Sequence, residues 1–230
     1  MRSPRKKRRL IKGWTFTFRE DEDKFPADKN GRPLPESHNA YDNIMLEGDL
    51  YRKLILIDGK PPDAKLQKKI DAEIEKERAA RRAHPAQTGR HTVLVGDLDH
   101  IARLCDSRVS GEEAVSGRMT WRIESLPKAG YKPADKDEEK FLSARRVTWI
   151  DRQEGFAIKY LEVFLRPAAG FQPGSEIERE FGKHNDAWLL DRMILRYDVK
   201  LYAVVRGRGE SRWRYYDYKK FDVESKITVQ

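Results

Sequence analysis

Only one long stretch of this chain carries a helical period; almost everything else alternates in twos. In PPDAKLQKKIDAEIEKERAARRA, residues 61–83, Leu66, Ile70 and Ile74 recur every four residues, which stacks them along one side of a helix. Pro61 and Pro62 open it and Pro85 closes it, as prolines do at helix ends. Lys69 with Glu73, and Glu77 with Arg81, stand four apart and support the helix from its wet side. The apolar stripe is narrow, so the expectation is an exposed helix laid along one edge of a sheet rather than a basic partner-binding helix.

The remainder reads as strands. WTFTFR (14–19) alternates aromatic with polar residues, a strand with one buried face. EDEDKFPADKNGRPLPES (20–37), with Asn30-Gly31 and three prolines, reads as a long hairpin loop. Strands near 39–47 and 50–57 follow, joined at Gly48-Asp49. From residue 104 strand follows strand: a hairpin about Ser116-Gly117, a short acidic helix in ADKDEEKFLSA, then RRVTWID paired with FAIKYLEVFLRP across Arg152–Gly155. SEIEREFGKHN leads into AWLLDRMILRYDVKLYAVV, which is expected to turn at RGRGE (206–210) into SRWRYYDYKKFDVESKITV. The class is mainly β, a β-rich α+β chain. It should form a large antiparallel meander of about 9–11 strands, one substantial helix at 61–83 and short helical segments.

Two strands look apolar on both sides. In 156–165, Phe156, Ile158, Tyr160 and Phe164 fall on one face, with Ala157, Leu161, Val163 and Leu165 on the other. In RWRYYDYKKF (212–221), Trp213 and Tyr215 share a face opposite Tyr216 and Tyr218. An antiparallel sheet normally keeps one face wet. Two apolar faces imply either a covering layer or a curved sheet around a cavity, and one good helix is little cover.

Chemistry-bearing motifs are absent: there is no Gly-x-Ser-x-Gly elbow, no His-Glu-x-x-His, no Walker loop and no complete Gly-x-Gly-x-x-Gly. No catalytic residue, cofactor or metal is therefore expected. His84, His91 and His100 cluster in sequence near Asp97 and Asp99, but their spacing matches no ligand set and they read as loop histidines. A single cysteine, Cys105, leaves no internal disulfide and no cysteine zinc site.

The net charge of +9 suggests nucleic acid until it is located. Residues 1–12 hold seven Lys/Arg and no acid, which leaves 40 basic against 38 acidic residues in the rest. A phosphate-binding surface carries its excess on the fold, so nucleic-acid binding through the tail ranks third and no nucleic-acid partner is expected. The basic start lacks the apolar run of a signal peptide, and no run approaches a membrane span. The organisation expected is a basic, disordered tail at 1–13 and a single β domain at 14–230.

The succession ESHNAYDNIMLEGDLYRKLILIDGKPPDAKLQKKIDAEIEKERAARR, GRMTWRIESLPKAGYKP, RRVTWID, NDAWLLDRMILRYDVKL and YYDYKKFDVESKI resembles bacterial envelope proteins of the outer-membrane lipoprotein-sorting (LolA-like) superfamily. The resemblance spans about 14–229. It implies an incomplete, strongly curved antiparallel barrel with helices lidding an apolar concave side that holds acyl chains. The partner it implies is a lipid or a lipidated protein, and the place the periplasm or outer membrane, with the chain's start truncated. The alternative is a structural or sensory envelope module with a filled core and a protein partner. The family's carrier residues cannot be placed here one by one. Trp121, Ile123, Trp149, Tyr160 and Phe164 are the candidate cavity residues because they are apolar and central in their strands.

Overall fold

The computed structural model describes residues 15–28, 30–46, 49–83, 98–201 and 205–221. The basic tail at 1–13, His84 and His91 lie outside these residues. Ten strands form one curved, unclosed antiparallel sheet. They are β1 (Thr15–Ala27), β2 (Ser37–Leu46), β3 (Asp49–Ile57), β4 (Cys105–Val115), β5 (Arg118–Pro127), β6 (Ala144–Asp151), β7 (Ala157–Phe164), β8 (Glu176–His184), β9 (Ala187–Leu201) and β10 (Val205–Phe221). The order is β3-β2-β1-β10-β9-β8-β7-β6-β5-β4, a meander in two halves joined where β1 pairs with β10. Three helices are described: α1 (Ala64–Ala83), α2 (Leu98–Leu104) and α3 (Lys136–Phe141).

Register carries one face across every strand. Val109, Ile123, Thr148, Tyr160, Arg179, Met193, Trp213, Glu22, Asn39 and Ile57 are successive cross-strand partners from β4 to β3. The helices stand on this side. Leu98 of α2 packs against Tyr160 and Phe181, and Arg146 lies over the Phe141 ring of α3. Leu66, Ile70 and Ile74 of α1 line a cleft with Tyr41 and Leu54. α1 holds the sheet edge as its pattern suggested: Ile70 is buried, and the Arg81 guanidinium covers Tyr51 while donating to the Leu50 carbonyl.

The opposite face is a lattice of ion pairs. Lys159 pairs with Glu178, Arg192 with Glu178 and Glu180, Arg196 with Glu176 and Glu210, Arg208 with Asp198, and Arg214 with Asp21. Most of these charges stand directly across strands, which holds register; the same side also carries the buried cluster of Val115, Val147, Trp149 and Ile158. In β7 both faces are apolar as expected, with one buried cluster on each side, but a register shift at Trp149/Ile150 changes which residues lie on which. Ile158 is the extra residue: it joins Val147 and Trp149 on the lattice side, while Ala157 joins Tyr160 on the helix side.

Three further expectations change. The acidic stretch after Arg19 is not a loop; β1 runs unbroken to Ala27, and the chain reverses only at 28–33. RGRGE is not a turn either, because Gly207 and Gly209 lie inside β10, paired with Val199 and Tyr197. The link between β9 and β10 falls at 202–204, outside the described residues. Lastly, a bulge opposite Phe18, with Asp217 at φ 55°, returns Tyr218 to the face of Tyr215. Phe18 touches both rings, at 5.9 and 5.2 Å.

One turn is pinned electrostatically. Asp151, which is buried, accepts from the backbone N–H groups of Gln153 (3.0 Å) and Glu154 (2.7 Å), and from Arg118 Nε at 2.7 Å. The Arg118 hydrogen bond holds the carboxyl below its usual range against the opposing effect of burial. A carboxyl depressed in the fold contributes stability above its unfolded pKa of about 3.9 and loses it as pH falls through the lower folded value. Asp151→Asn should cost about 2 kcal/mol at pH 7 and flatten the acid limb of stability against pH, read by urea unfolding at a series of pH values.

Candidate functional site

The helix-bearing face divides into an apolar end and a polar middle. At the apolar end Tyr160, Phe181 and Ala157 form a buried cluster, with Ile150, Phe156, Trp188 and Leu190 packed against it. Ile123 and Trp121 continue this wall toward the free edge of β4, and Trp121 is 39% exposed beneath the Arg152 guanidinium. Phe164 is buried against Phe171 at 4.9 Å. Four of the five candidate residues, Trp121, Ile123, Tyr160 and Phe164, thus share one face. Trp149 does not: it lies on the lattice side, where its indole N–H donates to Glu113 at 2.8 Å and Lys159 covers its ring.

The polar middle is what sequence reasoning missed. Glu20 and Glu22, 6% and 5% exposed, point into the helix-bearing face from β1. Glu20 accepts from Arg52 Nε at 3.0 Å and Asn43 Nδ2 at 3.2 Å. Glu22 accepts from Tyr41 Oη and Trp213 Nε1, each at 3.0 Å, with Lys24 at 3.3 Å and Arg52 at 3.4 Å. Arg52 also stacks on the Tyr41 ring, 3.3 Å from its centroid. Burial pushes the Glu22 carboxyl up, but Arg52, Tyr41 and Lys24 together hold it below its usual range. The only sequence signal was the alternation itself, since Phe16, Phe18, Glu20 and Glu22 are successive alternate residues.

A second group lies along the next rows. Arg146 and Arg179 both donate to Glu162, at 2.9 and 3.1 Å. Between it and the first group stands Tyr215, whose hydroxyl is driven far up by burial and by the nearby Glu20 and Glu22, with Arg52 and Arg179 opposing. Thr148, buried beside Tyr160, has a hydroxyl with no hydrogen-bond partner among the described residues, an arrangement that costs about 1–3 kcal/mol. β9, β10 and β1 form this middle, between α2 and α3 at one end and α1 at the other.

No family model matches this chain, and no curated protein matches it in sequence. Solved structures resemble it in fold. One is a putative outer membrane lipoprotein-sorting protein domain from Vibrio parahaemolyticus, with TM-score 0.39 and 9% identity over 95% of this chain and 88% of that one. Another is a LolA superfamily protein from Nitrosomonas europaea, with TM-score 0.39 and 11% identity over 96% and 92%. A third is the MucA/MucB complex of Pseudomonas aeruginosa, with TM-score 0.26 and 11% identity over 86% and 87%. The likeness is distant and one of fold alone, and no residue role or ligand is carried across it.

The described histidines belong to separate places. His38 contacts Asp23 at 2.9 Å, His184 contacts Asp191 at 2.5 Å, and His100 lies against Phe141. Among the described residues no helix is long and apolar enough to cross a membrane. The cleft between α1 and the sheet, about 310 Å³, has an apolar floor of Leu54, Leu66, Ile70 and Ile74 and a charged rim of Arg52, Lys69, Glu73 and Glu77.

Proposed function

We propose that this is a non-enzymatic binding protein of the bacterial envelope that takes an acyl chain, from a lipid or a lipidated protein, against the helix-bearing face of its curved sheet. The observation that carries this reading is the asymmetry of the two faces. One carries a lattice of ion pairs across β8, β9 and β10 beside a separate buried cluster of Val115, Val147, Trp149 and Ile158. The other carries the helices and bears Ile123, Ile150, Tyr160, Phe181, Leu190 and Met193, with β9, β10 and β1 between the helical groups. Each methylene removed from water is worth about 0.8 kcal/mol, so a face of this kind holds a chain by burial alone. The periplasm or outer membrane is the location that the sequence resemblance implies.

Native mass spectrometry of the purified chain, followed by titration with a fluorescent fatty acid, tests the reading. Ile123→Asp, which puts a charge into the apolar wall, should weaken probe binding about tenfold or more, some 1.4 kcal/mol. Arg192→Ser on the lattice face should leave it unchanged. Absence of both co-purified lipid and probe binding would sink the proposal.

A second reading, a protein-interaction module, rests on the free edge at β4. Val109, Met119 and Leu126 of the β4–β5 hairpin are 64%, 48% and 55% exposed. Against it, Gly111 sits at a register shift in β4, and Arg108, Glu112 and Glu113 flank it, devices that discourage strand addition.

A further inference from the structure

The middle of the helix-bearing face holds hydrogen-bonding capacity that the fold leaves unspent. Arg179 uses Nη1 on Glu162 at 3.1 Å, and its Nε and Nη2 make no hydrogen bond to a described residue. Its side chain is only 15% exposed. A guanidinium carries five donors in a planar fork, and one largely enclosed by the sheet whose Nε and Nη2 meet no acceptor on a described residue can take a further acceptor. Glu162 gives no full neutralisation, because Arg146 shares it at 2.9 Å; two cations face one carboxylate. By contrast Glu20 and Glu22 are already matched by Arg52 and Lys24, and Asp191 by His184.

Tyr215 lies on the same face, two residues along β10 from Trp213, whose row runs through Met193 to Arg179. Its hydroxyl donates to no described residue, its ring rests on Phe18, and Glu20, Arg52 and Glu22 act on it more strongly than Arg179 does. Arg179 is thus a surplus cation, Tyr215 a spare O–H, and both occupy one side of the sheet. Beside Arg179 lie the apolar Tyr160 on β7, Phe181 two residues along β8, and Met193 on β9. Charge at one spot with a greasy wall running from it is the recognition pattern of an amphiphile.

Resting on the lipid-binding reading above, we infer that the ligand is an anionic single-chain amphiphile, its carboxylate or phosphate held by Arg179 and Tyr215 and its chain laid along Tyr160, Ile123 and Phe181. An anionic oxygen headgroup supplies the acceptors that Arg179 lacks and offsets the charge that Glu162 leaves over. A cationic or neutral headgroup supplies neither. The orientation follows as well: the chain runs toward β5 and β4, where the wall is apolar, and not toward β1, where it would meet Glu22 and Arg52.

The test uses the full chain and dodecyl probes in isothermal titration calorimetry: dodecanoate, dodecyl phosphate, dodecanol and dodecyltrimethylammonium, with inorganic phosphate as the chainless anion. Both anionic probes should bind at least tenfold more tightly than dodecanol. Arg179→Leu should erase that preference while keeping dodecanol affinity, Arg179→Lys should restore part of it, and Tyr215→Phe should reduce it about threefold. Dodecanol bound as tightly as dodecanoate would overturn the headgroup assignment and leave the lipid-binding reading standing. No binding of any dodecyl probe would overturn both. Inorganic phosphate bound as tightly as dodecyl phosphate, and lost in Arg179→Leu, would overturn the amphiphile in favour of a free anion. The thermal midpoint of each variant separates lost recognition from lost folding.

Discussion

Replacing Arg52 with Leu should destabilise the protein by about 3 kcal/mol, because it strands two carboxylates inside the fold. Breaking a buried pair by removing one partner costs about 3–5 kcal/mol; the lower end applies because the Arg52 side chain is itself 40% exposed while Glu20 and Glu22 are buried. The cost should depend on charge and not on volume. Glu20→Gln and Glu22→Gln made together in the Arg52→Leu background should recover at least half of it, since the stranded charges then disappear with their partner. The pH profile carries the same signature. In the parent, burial pushes Glu22 up and Arg52, Tyr41 and Lys24 outweigh it, so its contribution is present at neutral pH and fades as pH drops through the depressed folded value. Without Arg52 the effect of burial dominates and the folded carboxyl takes up its proton sooner. The gap between parent and variant should be widest near pH 7 and narrow toward pH 4. A gap of constant size across that range would mean that Arg52 acts by packing alone.

The second large effect concerns a glycine. Gly209 adopts φ +154°, and a Cβ placed there would lie 2.5 Å from the Phe25 carbonyl oxygen and 2.9 Å from Pro26 Cα. Both are backbone atoms of β1, the strand it is paired with, so neither can step aside alone. Gly209→Ala combines an unfavourable backbone region with overpacking, each of which costs about 1–3 kcal/mol; we expect a loss of about 3 kcal/mol and a thermal midpoint lower by about 10 °C. Gly182→Ala is the contrast. Its Cβ would meet only the Asp191 carboxylate, at 1.9 Å, and that side chain is 43% exposed and can swing away. It should cost under about 1 kcal/mol. Equal losses from the two variants, measured by differential scanning calorimetry, would show that β1 and β10 do not approach as closely as described.

The same two regions show what was legible in the sequence. Alternation found most strands and the Ser116-Gly117 hairpin, and the four-residue spacing of Leu66, Ile70 and Ile74 found the helix, because each depends on residues near in sequence. Alternation failed at Glu20–Ala27 because a strand whose inward residues are glutamates looks like a loop. Only Arg52, Tyr41 and Trp213, brought in from other strands, make those glutamates tolerable inside. It failed at Gly207 and Gly209 for a related reason: glycine marks a turn and a close approach of two backbones equally well, and only the partner strand tells them apart. The bulges at Ile158 and Asp217 inverted face assignments further along their strands, since a period of two has no memory of an inserted residue. For the candidate site, apolar residues were visible as types, and four of the five share a face. Arg179 was not singled out and Tyr215 entered only as an aromatic on the face of Trp213, because a lone arginine or tyrosine in a strand carries no site signal until the register shows what it faces.

The seam between β1 and β10 has a consequence for how the molecule is made. Thr15 pairs with Phe221 and Ala27 with Arg208, so the middle of the sheet is stitched by strands from opposite ends of the described chain. Until β10 emerges from the ribosome, β1 presents an open row of backbone donors and acceptors, and the meander from β4 to β9 has no neighbour on its other side. Long-range closures of this kind fold slowly, in about milliseconds to seconds, and leave sticky borders meanwhile. A chain that stops before Val205 should therefore yield two half-sheets prone to association. A circular permutant that links β10 directly to β1 through a short loop, and opens between β3 and α1, would turn the slowest pairing into a local hairpin and should assemble faster than the parent.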